Sequence, residues 1–180
     1  ISGMVVDEKG EAMHKSKGNV VWPKRVIEKY GSDAIRLFGC LEASLGSDIR
    51  YSEERLAAAF RFLTKLWNVA RFISRFPIVD EVEELSETDK WILNELNELI
   101  KKAREGYEDF NFHIPAVYIR NFVWNIFAPH YIEMVKTRAY NTDGKFSEVE
   151  QKSAWYTLHK VLSTVLKLLA PITPFITEKI

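Results

Sequence analysis

The sequence has few of the residues on which disulfides and metal sites depend. Cys40 is its single cysteine, which excludes an internal disulfide and fits a reducing compartment. With one cysteine, the scattered histidines offer no zinc-ligand spacing. They are His14, His113, His130 and His159. We therefore expect no metal site in this chain.

Long apolar runs and an excess of one charge are also missing. No stretch of about 18 consecutive apolar residues occurs, and the N-terminal residues lack the layout of a signal peptide. We expect no contact with a membrane and a cytoplasmic location. Lys plus Arg and Asp plus Glu number 25 each. An anionic partner must therefore be met by a local basic patch and not by an overall positive field.

Apolar residues make up 47% of the 180 residues, which is enough for a packed core. From Pro23 onward they recur at three- and four-residue spacing, the pattern of amphipathic helices. Four long helices are predicted, opening near Ser52, Ser86, Pro115 and Ser147. A mainly α fold follows, an antiparallel helical bundle over residues 51–180 behind a small element of short strand, loop and helices.

The same spacing predicts caps and core faces. Segments 86–89 and 147–150 have the pattern of capping boxes at the starts of the second and fourth long helices. Trp67 on the first long helix and Trp124 and Met134 on the third fall at or near core positions, so their burial is expected.

One basic loop stands out in the small front element. Residues 12–19 combine two lysines, a serine and a glycine, which suits phosphate: lysine supplies compact charge, serine a hydroxyl, and glycine a close backbone approach. Short runs of this kind are also common as solvated basic turns. Taken alone, the loop leaves both interpretations open.

The order of residues around the loop resembles a known family. Segment 13–21, Met-His-Lys-Ser-Lys-Gly-Asn-Val-Val, is similar to the KMSKS signature of class I aminoacyl-tRNA synthetases, with the usual proline following as Pro23. Segment 27–38 looks like the I-x-K-Y-G-A-D-A-L-R stretch of that family. Coincidence over both segments is very improbable, so the second match makes the first specific.

Further matches lie in the predicted bundle. Segment 62–72 is similar to the K-L-W-N-x-x-R-F helix of the valyl, isoleucyl and leucyl branch. Segments 109–112, 122–127 and 131–136 look most like valyl-tRNA synthetases, and 169–178 completes the set. Residues 3–6, which precede the loop, and the Met-His-Lys-Ser form of the loop suggest an archaeal-type member.

The resemblance implies two parts of a longer enzyme. Residues 1–50 would be the KMSKS loop and stem-contact element at the end of the catalytic region. Residues 51–180 would be the anticodon-binding domain, cut short at its C-terminus. The Rossmann catalytic domain and the editing domain would precede Ile1, so we expect a C-terminal fragment that is inactive alone, although its parent is an ATP-dependent ligase.

For the loop, the resemblance implies a role toward ATP. The second lysine of the signature, which steadies charge on the phosphates, corresponds to Lys15, the expected catalytic residue. His14, Ser16, Lys17 and Gly18 would complete the ATP-binding set, with Mg²⁺ in the parent enzyme. Two positions depart from the signature, because Ala12 replaces its first lysine and His14 its serine. No nucleotide is expected to stay bound to this chain alone.

For the bundle, the resemblance implies binding of the tRNA anticodon arm through a basic helix face. Trp67 and Trp124 are expected in the core and not in base stacking. The candidate contacts are Arg61, Lys65, Asn68, Arg71, Arg120, Lys136 and Arg138. Besides tRNA, the expected partner is the catalytic domain of the same protein, and the protein is expected to act as a monomer. Balanced net charge predicts weak, salt-sensitive RNA binding.

Two other interpretations remain. The chain could belong to an isoleucyl-tRNA synthetase, whose helices are similar. It could also be a helical scaffold or partner-binding bundle whose basic loop is incidental. Preference for one anticodon over another would separate the three.

Overall fold

The computed structural model describes residues 3–44 and 46–180; Ile1, Ser2 and Leu45, which fall in the predicted front element, lie outside them. The described part of the chain is mainly helical. None of the helices in the described part of the chain is long and apolar enough to cross a membrane.

The front element combines a minimal sheet with two helices. Strand β1 (Val5–Val6) pairs in parallel with β2 (Ile49–Arg50), in the register Val5 to Ile49 and Val6 to Arg50. Between them lie α1 (Pro23–Tyr30) and α2 (Ser32–Glu42). Gly31 joins the two helices at φ 79°, a conformation that favours glycine. The predicted small front element is confirmed.

The remaining elements form the predicted antiparallel bundle. Three of its four long members are α3, α4 and α7, and the fourth is α5, a π-helix and α6 in unbroken succession. In chain order the bounds are α3 (Glu53–Ile73), α4 (Glu87–Glu108), α5 (His113–Asn121), the π-helix (Phe122–Tyr131), α6 (Ile132–Tyr140), α7 (Glu148–Leu169) and α8 (Pro174–Lys179).

The π-helix changes which side chains point inward. Its wider turns shift the apolar face from the register that regular α-helical spacing predicts. Met134 is therefore 51% exposed and Val135 takes the buried position, so the expectation for Met134 was wrong. Trp124, on the π-helix itself, is 40% exposed, and its predicted burial was also wrong.

The apolar stripe of α3 is narrower than its spacing predicts. Leu63, Leu66 and Ala70 are buried, whereas Trp67 is 37% exposed, so the expectation of a buried Trp67 was wrong. The core-facing stripe is already filled by smaller side chains, and the indole lies at its edge. Both tryptophans are therefore on the surface of the bundle.

Of the two predicted capping boxes, one is confirmed. The Ser147 hydroxyl accepts from the backbone N–H of Glu150, and the Glu150 side chain accepts from the backbone N–H of Ser147. The other box was wrong, since the Ser86 side chain makes no cap hydrogen bond. Asp89, its supposed partner, is fully buried and binds the Arg138 guanidinium instead.

Helix α2 ties the front element to the far end of the bundle. The Arg36 guanidinium donates to the carbonyl oxygens of Ile172 (2.7 Å) and Pro171 (3.0 Å), which turn the chain between α7 and α8. Asp33 accepts from the backbone N–H of Ile176 at 2.7 Å. The domain boundary near residue 50 stays a prediction.

Candidate functional site

The basic loop is an exposed single turn. Lys15–Lys17 form a 3₁₀ turn that ends at Gly18, whose φ of 69° lies in the left-handed region. Apart from its two chain neighbours, no residue has an atom within 4 Å of the place where a Cβ of Gly18 would be, so its backbone is open to a ligand. His14 and Ser16 are exposed with the lysines. The structure thus brings the five predicted ATP-binding residues together on one accessible surface.

The two lysines of the loop make only weak contacts within the chain. The Lys15 ammonium lies 5.6 Å from the ring centroid of Trp22, which is itself 52% exposed. Lys17 pairs with Glu11 at 3.1 Å, with both side chains more than half exposed. Exposed pairs of this kind contribute little to stability, so both ammonium groups are available to an anionic ligand.

The base of the loop is held by Asn19, which belongs to the predicted loop segment, and by Asp7, which was absent from the predicted site. The Asn19 amide oxygen accepts from the backbone N–H of His14 at 2.9 Å. Its NH₂ group donates to the Asp7 carboxylate at 2.8 Å and to the carbonyl oxygen of Ala12 at 3.3 Å. The hydrogen bond from Asn19 is the main cause that lowers the pKa of Asp7 below its usual value. No periodicity could have pointed to Asp7.

The described residues contain no cluster of three or more His, Cys, Asp or Glu side chains that could hold a metal ion. The expectation of Mg²⁺ together with ATP stays a prediction for the parent enzyme.

A groove on the bundle collects most of the other candidate residues. It runs between α3 and the segment formed by the π-helix and α6, and we call it the α3–α6 groove. Four of the seven predicted RNA-contacting residues line it: three share one face of α3, and Lys136 joins them from α6. The groove is lined by Arg61, Thr64, Lys65, Asn68, Val69, Phe72, Ala128, Ile132, Glu133 and Lys136.

Electrostatic contacts shape this groove. The Lys65 ammonium lies 4.3 Å above the ring centroid of Trp124, which places the exposed indole beside the groove. Lys136 binds Glu133 at 2.7 Å, which partly offsets its charge. The groove thus offers guanidinium and ammonium donors for phosphates, an amide for hydrogen bonds, and aromatic surface for a flat ring.

The other three predicted contacts lie elsewhere. Arg71 and Arg120 are exposed but do not line the groove. Arg138 is only 6% exposed, and its guanidinium is bound to Asp89 inside the bundle. The interpretation of Arg138 as a surface contact was therefore wrong. Because an arginine on a basic helix looks the same in sequence whether it is paired or free, only the fold separates the two cases.

Comparison with family models covers both parts of the chain. Residues 89–180 match the family described as the anticodon-binding domain of tRNA ligase. Residues 1–52 match the family of class I tRNA synthetases for isoleucine, leucine, methionine and valine. The second match covers the front element that carries the basic loop, and the first covers the bundle from α4 onward, whereas α3 falls between the two.

Valine–tRNA ligases are similar to this chain over its whole length. The chain is 47% identical over all its residues to the enzyme of Pyrobaculum aerophilum, of which it covers 22%. It is 43% identical to the enzyme of Aeropyrum pernix, again over all of this chain and 22% of that protein. To the Streptococcus mutans enzyme the identity is 36%, over all of this chain and 21% of that protein. The chain thus spans about a fifth of the length of these relatives.

Solved structures show the same fold. Methionyl-tRNA synthetase of Mycobacterium tuberculosis, in complex with methionyl-adenylate, matches 99% of this chain and 36% of its own with a TM-score of 0.75 at 22% identity. The LeuRS of Agrobacterium radiobacter, in a ternary complex with tRNA and LeuAMS, matches 99% of this chain and 21% of its own with a TM-score of 0.71 at 24% identity. The likeness to these structures shows the fold, and the two family matches show that the chain belongs to the class I aminoacyl-tRNA synthetases and includes their anticodon-binding domain.

Proposed function

We propose that this chain binds the anticodon arm of a tRNA through the α3–α6 groove, as part of a valine–tRNA ligase that joins valine to its tRNA using ATP. The observation that carries the proposal is the convergence of Arg61, Lys65, Asn68 and Lys136 on one groove. The likeness to valine–tRNA ligases of archaea and bacteria supports valine as the amino acid.

The groove has the chemistry that single-stranded RNA requires. Basic side chains follow a phosphate backbone, while aromatic surface stacks with unpaired bases. Trp124 is exposed and held by Lys65 at the side of the groove, which suits such stacking. Asn68 supplies both a donor and an acceptor for a base edge. A plain scaffold would have no need of this combination on one surface.

Binding of a hairpin RNA that carries a valine anticodon tests the proposal. Lys65→Ala should weaken binding about three- to tenfold and should reduce the slope of log affinity against log salt by about one. Lys101→Ala is the matched control, because Lys101 is an exposed lysine on α4 outside the groove and bound to Glu98 at 2.6 Å. Equal loss in both variants would contradict a role for the groove.

The anticodon of the hairpin tests the amino acid. A hairpin with a valine anticodon should bind more tightly than the same hairpin with an isoleucine anticodon. The reverse preference would assign the chain to an isoleucine enzyme. Absence of any preference at low salt would support a helical scaffold and overturn the proposal.

We also propose that the basic loop contacts the phosphates of ATP, with Lys15 as the principal charge. The exposed ammonium groups of Lys15 and Lys17 and the open backbone at Gly18 fit a polyphosphate. ATP supplies the energy and the adenylyl group for activating the amino acid. Positive charge fixed at Lys15 would stabilise the negative charge that develops on the phosphates. Mg²⁺ would accompany the nucleotide in the whole enzyme.

Amino-acid-dependent pyrophosphate exchange tests the loop in a full-length valine–tRNA ligase that carries this 180-residue segment. Lys15→Ala should slow the exchange by about 100-fold or more, while affinity for tRNA stays nearly unchanged. Exchange at the wild-type rate would refute this role. The chain alone should catalyse no exchange, and we propose that the whole protein acts as a cytoplasmic monomer.

A further inference from the structure

We propose that Asp7 and Asn19 are a pair of positioning residues that set the backbone path of the basic loop and thereby place the ammonium groups of Lys15 and Lys17. The inference rests on the proposed role of the loop toward ATP. It assigns function to two residues that do not themselves reach the lysine side chains.

Asn19 closes the loop on itself. Through its amide it binds the backbone of Ala12 at the entry of the loop and of His14 just before the 3₁₀ turn, while Asn19 itself stands at the exit. One side chain thus fixes three points of the eight-residue segment 12–19. None of the residues in its 3₁₀ turn, Lys15–Lys17, is buried. The other backbone contacts of this segment are the hydrogen bonds within the 3₁₀ turn, from Lys17 N–H to His14 (3.1 Å) and from Gly18 N–H to Lys15 (3.2 Å), and a bridge between Ala12 and Val6. Asn19 is the side chain that joins the entry of the loop to its exit.

Asp7 fixes Asn19 from the neighbouring turn. One carboxylate oxygen accepts from the NH₂ group of Asn19 at 2.8 Å. The other accepts from the backbone N–H groups of Lys9 (3.0 Å) and Glu11 (2.8 Å). Asp7 directly follows β1, which is paired with β2 and carries the buried Val6, so the carboxylate is anchored to the sheet. Bonds to an ionised acceptor are stronger than neutral ones.

The charged side chains that would meet the ligand remain outside this clamp. Lys15 lies over the Trp22 ring, and Lys17 forms an exposed ion pair with Glu11. Breaking such an exposed pair requires little free energy. The backbone is therefore held while the ammonium groups can change partners. This division between a fixed base and free charges suits a loop that must meet phosphates at a defined position.

Hydrogen exchange in the 180-residue chain tests the clamp without any nucleotide. In Asn19→Ala, the backbone amide of His14 should exchange about tenfold faster, because its acceptor is lost. The melting temperature should change by less than about 2 °C, since the loop lies outside the core. Asn94→Ala, at an exposed asparagine of α4, is the control and should leave the His14 amide unchanged. Unchanged exchange in Asn19→Ala would overturn the proposal.

A pairwise exchange of the two residues provides a rescue. In Asp7→Asn two NH₂ groups would face each other, and in Asn19→Asp two carboxylates would. The double variant Asp7→Asn/Asn19→Asp restores a donor opposite an acceptor and keeps an oxygen for the His14 amide, but its carboxylate at position 19 cannot donate to the Ala12 carbonyl oxygen. It should therefore slow His14 exchange relative to Asn19→Asp, in which two carboxylates face each other. A double variant no slower than Asn19→Asp would contradict the pairing.

Pyrophosphate exchange in the full-length ligase then separates this inference from the proposed function. With kcat referred to the concentration of folded enzyme, Asn19→Ala should lower kcat about 10- to 100-fold and leave the KM for valine unchanged. The correction for folded enzyme is needed because a loss of folded protein would itself lower the apparent kcat at unchanged KM. If Lys15→Ala is impaired but Asn19→Ala is not, the positioning role is refuted and the ATP role stands. If neither is impaired, both are refuted.

Discussion

Arg138 of α6 and Asp89 of α4 form an ion pair inside the bundle. One guanidinium nitrogen donates to a carboxylate oxygen of Asp89 at 2.8 Å, and the second nitrogen donates to the other oxygen. The Tyr131 hydroxyl also donates to Asp89, at 2.7 Å, and Ser153 donates to it as well. Burial, together with the carboxylate, raises the pKa of Tyr131 well above its usual value, so its phenol stays neutral.

Replacing Arg138 should destabilise the bundle strongly. Arg138→Met leaves the fully buried Asp89 carboxylate without its cation, and we expect the free energy of unfolding to fall by about 3–5 kcal/mol. Urea unfolding followed by circular dichroism measures this change. Lys152→Ala removes an exposed partner of Glu148 and should leave the urea midpoint nearly unchanged. Equal losses of unfolding free energy in the two variants would show that the buried pair contributes no more to stability than the exposed one.

Two helical glycines should respond in opposite ways to alanine. A Cβ at Gly106 of α4 would lie 2.6 Å from the Pro115 ring and 2.9 Å from the Ile114 side chain, so Gly106→Ala should cost about 1–3 kcal/mol. A Cβ at Gly39 of α2 would meet nothing within 4 Å beyond the backbone of its own helix and its chain neighbours, so Gly39→Ala should stabilise by about 0.5–1 kcal/mol through helix propensity. Thermal unfolding measures both. Stabilisation by Gly106→Ala would contradict the close approach of α4 and α5.

Loss of the Ser147 cap should appear both in stability and in a carboxyl titration. Hydrogen bonds from the backbone and side chain of Ser147 lower the pKa of Glu150. Ser147→Ala should cost about 1 kcal/mol, as for other N-caps, and should raise the Glu150 pKa part of the way to its usual value. The backbone bond remains, so the rise is incomplete. Urea unfolding and NMR titration of the Glu150 carboxyl carbon measure the two effects.

The sign of the pH dependence follows from the lowered pKa. Ionised Glu150 stabilises the fold at pH values above the pKa of its unfolded form, and this contribution is lost as pH falls through the lower folded pKa. The contribution should be smaller in Ser147→Ala. Ser163→Ala, at an exposed serine within α7, serves as the control and should leave the Glu150 titration unchanged. A Glu150 pKa unaffected by Ser147→Ala would contradict the capping box.

Trp124 should matter for RNA and not for folding. Its indole is 40% exposed and is in contact with Lys65, a surface cation–π pair of about 0.5–1 kcal/mol. Trp124→Ala should therefore change unfolding by less than about 1 kcal/mol but weaken binding of the valine-anticodon hairpin by about 1–3 kcal/mol, the range for lost base stacking. Trp91→Ala, at an exposed tryptophan of α4, is the control. Equal weakening by both would argue against stacking at Trp124.

Sequence reasoning succeeded where the signal was local. Apolar spacing predicted the long helices, and the serine and glutamate three residues apart predicted the cap of α7. The order of residues in 13–21 indicated the family, which the family matches confirm. Lys65 and Asn68 share a helix with the motif that carries the resemblance, and the structure places them in one groove, while their contact with RNA stays a prediction.

Failures arose where a partner distant in sequence decides the outcome. Asp89 looked like a capping residue, but a cation from α6 draws it into the core. Met134 was expected inward because a regular helix was assumed, and the π-helix before it changes the register. Asp7 was not recognised, because its role depends on Asn19 twelve residues later.

The sequence by itself determined the helical class and the family, since these depend on periodicity and on the order of neighbouring residues. Tertiary structure alone decided which cations are free and which are neutralised, which aromatic rings are exposed, and how the loop is held. The physical reason is that burial and ion pairing depend on distances between segments that are remote in the chain. Arg138 demonstrates this, because helical spacing predicted it on the surface, whereas its ion pair with Asp89 holds it inside the bundle.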